Sequence, residues 1–373
     1  MSVNAVERVK NVLSRPFSLG ALRLPNRVVM APMTREFSPG GVPGEDVARY
    51  YARRAAGGVG LIITEGTYVG HDSAGSSARV PHFYGEEALA GWAAVAEAVH
   101  QEGGRIMPQL WHVGMDRVVG NPPVPDAPRI GPSGIALDGT LSGREMTQAD
   151  IDNVVAAYAS GAASAEALGF DGVEIHGGHG YLIDEFLWEY TNRRSDGYGG
   201  DVARRTRFAA EIVTACRESV SGDFPISFRL SQWKMGNHYQ ARIAETPQEL
   251  ETVLGLLVEA GADAFHCSTR RFHLPEFEGS DLNLAGWAKK ITGKPAISVG
   301  SVGLSNEFLQ VFQGEQANVT DIVDLLDRME RDEFDLIAVG RALLGDPEWL
   351  TKVLSGRTEE LNAFHVGLVG SLH

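Results

Sequence analysis

Apolar positions along this chain follow two rhythms, a period of two over short runs and a period near 3.6 over longer ones. Arg27 to Met33 is predicted as a first strand and Asp46 to Ala56 as the helix after it. Val59 to Glu65 is predicted as a second strand. The helix from Glu87 to Glu102 follows, with Leu89, Trp92, Val95, Ala96 and Val99 on one face. Arg105 to Trp111 is the third strand, and its loop, Met115 to Met146, is long and rich in Pro and Gly. Thr147 opens the next helix with Thr-Gln-Ala-Asp, a capping-box pattern in which Asp150 replaces the usual Glu or Gln. A fourth strand runs through Val173 and Ile175, which alternate with Glu174 and His176, and its helix follows Gly199-Gly200.

The second half repeats the plan. Pro225 to Ser231, Ala262 to Ser268, Pro295 to Gly300 and Phe334 to Gly340 are predicted as strands five to eight. Helices are predicted over Pro247 to Glu259, Leu282 to Ile291 and Pro347 to Leu354. Eight strands alternating with helices point to an α/β architecture, a parallel (β/α)8 TIM barrel with elaborated loops after its strands. Phe17 to Leu24 reads as an N-terminal hairpin that plugs the barrel floor. The rival architecture is a doubly wound sheet. For a dinucleotide it would carry a Gly-x-Gly-x-x-Gly turn, and the chain has neither that nor a Walker-type phosphate loop. One domain is expected over residues 1–373, since no linker, low-complexity tract or coiled coil interrupts the pattern.

Composition narrows the function classes. A net charge of -15 argues against nucleic-acid partners and anionic membrane surfaces, both of which would repel it. No run approaches the ~18 apolar residues of a membrane span. Met1 to Lys10 mixes charges and lacks the apolar run of a signal peptide. Cys216 and Cys267 are the only cysteines, too few for a disulfide scaffold or a four-cysteine cluster, and a reducing cytoplasm is the expected compartment.

Candidate chemistry gathers where the strands end, which in a parallel barrel is the catalytic face. The stretch Asp171-Gly-Val-Glu-Ile-His-Gly-Gly-His-Gly-Tyr-Leu182 brings His176, His179 and Tyr181 to the end of one strand. The two histidines lack the i,i+4 spacing of helical zinc ligands, and no Cys or carboxylate cluster completes a set, so no metal is expected. Gln109 and Trp111 share a side of strand three, and Arg229 lies among apolar neighbours on strand five. A buried guanidinium needs a partner, either a bound anionic or carbonyl-rich group or an internal salt bridge with Glu174. Gly300 and Gly340 end strands seven and eight, where barrels commonly hold a phosphate, and Arg341 follows to grip it. A Schiff-base lyase would want a lysine at a strand end, and the eight predicted ends offer none.

Five blocks resemble one family in the same order along the chain. They are Asn26-Arg-Val-Val-Met-Ala-Pro-Met-Thr-Arg35, Gln109-Leu-Trp-His-Val-Gly114, Asp171 to Leu182, Thr191-Asn-Arg-Arg-Ser-Asp-Gly-Tyr-Gly-Gly200 and Val339-Gly-Arg-Ala-Leu-Leu-Gly-Asp-Pro-Glu-Trp349. They are similar to the Old Yellow Enzyme family, FMN barrels that use NADPH or NADH to reduce activated C=C bonds of small molecules. The likeness runs from about Phe17 to Trp349.

The resemblance implies a set of roles. Pro32, Met33, Thr34 and Gly66 would border the flavin ring, with the Thr34 hydroxyl near its C4 carbonyl. Gln109 would bond the pyrimidine edge, and Arg229 would sit near N1 and O2. Gly300, Gly340 and Arg341 would hold the phosphate. His176 and His179 would bind the substrate's carbonyl or nitro oxygen next to the flavin, Tyr181 would donate the proton, and Trp111 would shape the substrate pocket. A flavin-binding protein without turnover and a quinone or nitro-compound reductase are the alternatives. Thr34 stands where one branch carries Cys, so thiol tuning of the flavin is not expected. Met115 and Trp188-Glu189 also depart from common patterns, and the Met115 to Met146 and Thr269 to Ser280 loops look individual.

Overall fold

The computed structural model describes residues 3–307, 310 and 316–373. An antiparallel hairpin, β1 (Phe17–Leu19) and β2 (Leu22–Leu24), precedes a closed parallel barrel. The barrel strands are β3 (Val28–Met30), β4 (Leu61–Tyr68), β5 (Ile106–Trp111), β8 (Val173–His176), β9 (Ile226–Ser231), β10 (Ala264–Ser268), β11 (Ala296–Val299) and β12 (Leu336–Val339). Each pairs with the next in this order, and β12 returns to β3. The eight-stranded barrel expected from the sequence is what forms, and the hairpin plugs it. Leu19, Leu22 and Leu24 join Val29, Leu61, Ile63, Met107, Ala264, Ile297 and Leu336 in one buried cluster inside the barrel.

Local sequence explains the helix starts. Thr147 and Asp150 form the expected capping box ahead of Gln148–Ala167. Thr246 caps Pro247–Ala260, whose leading proline lacks the N–H that a first turn cannot use.

Four features go beyond what the hydrophobic pattern predicts. All of β8 is buried, its polar face as well as its apolar one. Val173 and Ile175 join the outer core, while Glu174 and His176 lie among the barrel's polar groups. The Met115 to Met146 loop contains a small pairing of β6 (Ile130–Gly131) with β7 (Arg144–Glu145). Val323–Glu330 forms a helix that the periodicity did not bring out. Of the charged N-terminal stretch, Val3–Leu13 is helical and buries Val9, Val12 and Leu13. It packs on Trp349–Ser355 and Val323–Glu330. Among the described residues, no helix is long and apolar enough to cross a membrane. Both cysteines are buried and free.

Candidate active site

Strand register builds the site from two polar layers. His176 of β8 lies opposite Arg229 of β9, which lies opposite His266 of β10. In the layer below, Gln109 of β5 is opposite Glu174, and Glu174 is opposite Ser227. A hydrogen-bonded chain links the two layers. Arg229 Nη1 donates to His266 Nε2 at 3.0 Å, and His266 Nδ1 donates to Glu174 Oε2 at 2.8 Å. Gln109 Nε2 donates to Glu174 Oε1 at 2.8 Å, and Ser227 donates to Oε2 at 3.1 Å.

Burial pushes the Glu174 carboxyl up, but His266, Arg229 and Gln109 together outweigh it and hold the acid below its ordinary value. Burial and Arg229 lower His266, so the ring is neutral and its bond to Glu174 is a charge-assisted hydrogen bond. The expected alternative of a direct Arg229–Glu174 salt bridge is replaced by contact through His266. Burial lowers Arg229 to about 10, which still leaves it charged at neutral pH. Its Nε is buried without a partner among the described residues.

One turn carries the other reactive groups. After β8 the chain passes Gly177-Gly178 to His179, at φ 67°, and Gly180, at φ 86°. A non-glycine residue in the left-handed region needs support. It comes from Ser231 Oγ, which accepts the His179 N–H at 2.8 Å, and from Asp184, which accepts the Gly180 N–H at 2.7 Å. The other Asp184 oxygen accepts from Lys234 Nζ at 2.8 Å, in an ion pair whose side chains are both 0% exposed. Lys234 is therefore engaged behind the turn and offers no free amine to the cavity.

The ring centroids of His176 and His179 are 5.0 Å apart, and Tyr181 lies 5.2 Å from His176. Trp111 meets Tyr181 edge-on at 4.9 Å, and Trp233 covers His179 at 4.6 Å. Burial, then neighbouring Arg229 and His266, lowers His176 well below its ordinary value. Burial, then His176 and Arg229, does the same to His179. Burial raises Tyr181, so its phenol keeps its proton. The Tyr181 hydroxyl has no partner among the described residues.

All the residues expected at the site line one cavity of about 370 Å³: Pro32, Met33, Thr34, Gly66, Gln109, Trp111, His176, His179, Tyr181, Arg229, Gly300, Gly340 and Arg341. Gly66 lies at a register shift between β4 and β5, where a Cβ would come within 2.7 Å of the Trp111 ring. Arg341 Nη2 donates to Ser301 Oγ at 3.1 Å and to the Asn306 carbonyl at 2.7 Å, while its Nη1 is buried without a partner among the described residues.

Sequence reading missed His266, Ser268, Trp233, Met235 and Arg270. All but His266 line the cavity, and His266 anchors Arg229 from behind. His266 and Ser268 left a trace in the period-two alternation with Phe265 and Cys267. Trp233 and Met235 lie on an irregular loop that carries no such signal.

Comparisons with known proteins agree. The model of the NADH:flavin oxidoreductase / NADH oxidase family matches residues 12–360. A NADH oxidase of Thermoanaerobacter brockii is 33% identical over 94% of this chain, and the chain spans about half of that protein, 52%. Flavin oxidoreductase hxnT of Emericella nidulans is 34% identical over 92% of this chain and 90% of its own length. A solved morphinone reductase in complex with tetrahydroNAD superposes with a TM-score of 0.79 at 29% identity, covering 96% of this chain and 93% of its own. The chain thus belongs to the NADH:flavin oxidoreductase / NADH oxidase family, the Old Yellow Enzyme barrels, whose members are FMN enzymes reduced by a nicotinamide coenzyme.

Proposed function

We propose that this chain is an FMN-dependent NAD(P)H oxidoreductase that reduces the activated C=C bond of α,β-unsaturated carbonyl or nitro compounds. The observation that carries this reading is the grouping of two neutral imidazoles and a partnerless phenol around one cavity that also holds Arg229. The residues fit FMN. Arg229 Nε and Arg341 Nη1 are orphaned buried donors, suited to the pyrimidine edge and the phosphate respectively. At Gly340 a Cβ would meet nothing nearer than Met33 Sδ at 3.4 Å, so its backbone is open to a ligand. Pro32, Met33, Thr34, Gly66 and Gln109 would border the ring, and Gly300 would join the phosphate site.

The chemistry FMN supplies when bound is hydride transfer, from the nicotinamide and then to the β-carbon of the substrate. His176 and His179 would donate hydrogen bonds to the substrate oxygen, where charge grows as the β-carbon is attacked. Tyr181 holds its proton until a carbanion forms at the α-carbon, then protonates it. Trp111, edge-on to Tyr181, keeps that phenol in place and narrows the pocket.

The test is to purify the protein, denature it and identify the released flavin, then follow both half-reactions in a stopped-flow instrument. A yellow protein that releases FMN, is bleached by NADPH or NADH and is reoxidised by cyclohexenone is expected. A colourless protein that takes up no FMN overturns the reading, as does a reduced protein that cyclohexenone and nitroalkenes leave unchanged.

A further inference from the structure

Two neutral histidines facing one substrate oxygen pose a question that their positions alone do not answer. Each ring carries one proton on one of two nitrogens, and only the protonated nitrogen can donate to that oxygen. For His176, the Gly178 N–H donates into Nδ1 at 3.4 Å, so Nδ1 is the acceptor and Nε2 carries the proton. For His179 the neighbour is different. Its Nε2 lies 2.8 Å from Ser268 Oγ, and the same hydroxyl oxygen lies 3.3 Å from Arg229 Nη2.

We propose that Ser268 is a positioning residue for the reduction: its hydroxyl accepts from Arg229 and donates to His179 Nε2, which leaves the His179 proton on Nδ1 for the substrate oxygen. This rests on the reading that the two histidines bind that oxygen. The argument begins with Arg229, which can only donate. Its hydrogen bond occupies one lone pair of Ser268 Oγ, and its charge drives the hydroxyl proton to the opposite side, where Nε2 is the acceptor within reach. Ser268 is buried, and His179 Nε2, at 2.8 Å, lies closer to its oxygen than Arg229 Nη2 does at 3.3 Å. Nδ1 has no partner among the described residues, and the His179 ring lines the cavity.

The reverse orientation would place the Nε2 proton on Ser268 and a bare Nδ1 lone pair against the lone pairs of the substrate oxygen. Trp233 keeps the ring from turning over. It lies against His179 at 4.6 Å, 31° from parallel, and its own Nε1 is tied to the Ser268 carbonyl at 3.2 Å. One guanidinium therefore organises both walls of the cavity, reaching Glu174 and Gln109 through His266 and the substrate histidine through Ser268.

The experiment is nitrogen NMR on the FMN-loaded protein labelled with 15N-histidine, with His179→Gln to assign the His179 signals. The expected wild-type spectrum has His179 Nδ1 in the protonated range and Nε2 in the lone-pair range. In Ser268→Ala the His179 signals should shift toward the other tautomer. Affinity for a phenol, which mimics an enolate oxygen, should fall about tenfold, the loss of one hydrogen bond. Ser268→Thr, which keeps the hydroxyl on a strand that suits a branched residue, should restore both. A wild-type spectrum with the His179 proton on Nε2 overturns the proposal, as does a Ser268→Ala protein with unchanged tautomer and phenol affinity. If Ser268→Ala does not fold, the wild-type spectrum decides. The spectrum requires no turnover, so a protein that reduces no enone would sink the functional reading and leave the tautomer result standing.

Discussion

The two ends of this barrel are made from the same strands and differ in almost everything else. At the floor, Leu61 and Ile63 of β4, Met107 of β5 and Ala264 of β10 close on the hairpin leucines. Two residues further along the same inward face, Met107 gives way to Gln109 and Ala264 to His266, and every partner becomes polar. Apolar packing stabilises the floor without specifying any chemistry. The mouth holds buried ionisable groups that each cost desolvation, and their hydrogen bonds recover only part of it. A single step of the strand repeat separates the part of the barrel that supports folding from the part that can react.

Substitutions at each end should break in different ways, and the largest effect is expected at the mouth. Tyr181→Phe should bind FMN and accept electrons from NAD(P)H at close to the wild-type rate. Its reoxidation by cyclohexenone should slow by ~10²–10⁴-fold, the usual contribution of a general acid. Quinone reoxidation, which delivers no proton to carbon, should survive. Stopped-flow traces with the two oxidants make the measurement, and equal slowing with both would make Tyr181 a packing residue.

At the floor, Leu24→Ala should cost about 2–5 kcal/mol by emptying a packed site. Denaturant titration measures the loss. Activity per folded molecule should hold, and a matching loss of turnover would dissolve the distinction between the ends.

Arg229→Met tests the mouth again with a smaller effect. Losing a charged hydrogen bond of ~1.5–3 kcal/mol should lower the potential of bound FMN and slow its reduction. A redox titration reads the first and stopped flow the second, and an unchanged potential would limit Arg229 to holding His266.

The smallest effect concerns Glu65, also at the mouth end. Burial raises its carboxyl to about 7, even though its Oε2 accepts the backbone N–H groups of Arg35 and Glu36. A carboxyl whose folded pKa lies above its unfolded 4.5 stabilises the fold most when protonated. Its contribution is therefore present below about pH 4.5 and lost as pH rises towards 7. Glu65→Gln keeps an acceptor and removes the titration, so it should flatten that slope and gain about 1–2 kcal/mol at pH 8. Parallel unfolding titrations at pH 5 and pH 8 would settle it.

The sequence made the barrel legible because each strand is a short apolar run and each major helix has an apolar stripe. Val3–Leu13 escaped because its buried positions, Val9, Val12 and Leu13, sit among charged residues that read as solvated chain. Val323–Glu330 is brief and half charged, with Leu325, Leu326 and Met329 its only apolar buried residues. In the site, groups at strand ends were readable one strand at a time. Arg229 and Gln109 stood out as polar residues in apolar runs. What joins them did not stand out, because His266 is 37 positions from Arg229 and only barrel register brings the two together. Ser268 and Trp233 needed three dimensions for the same reason.

The buried Lys234–Asp184 pair has a practical consequence for anyone who wishes to redesign what this protein accepts. It ties the turn bearing His179 and Tyr181 to the loop bearing Trp233 and Met235, and it does so from behind the cavity wall. The backbone around Met235 is therefore anchored independently of that side chain. A mutant library that varies Met235 while leaving Lys234 and Asp184 untouched should recover many folded variants with altered substrate scope. A library that also randomises the pair should yield mostly insoluble protein.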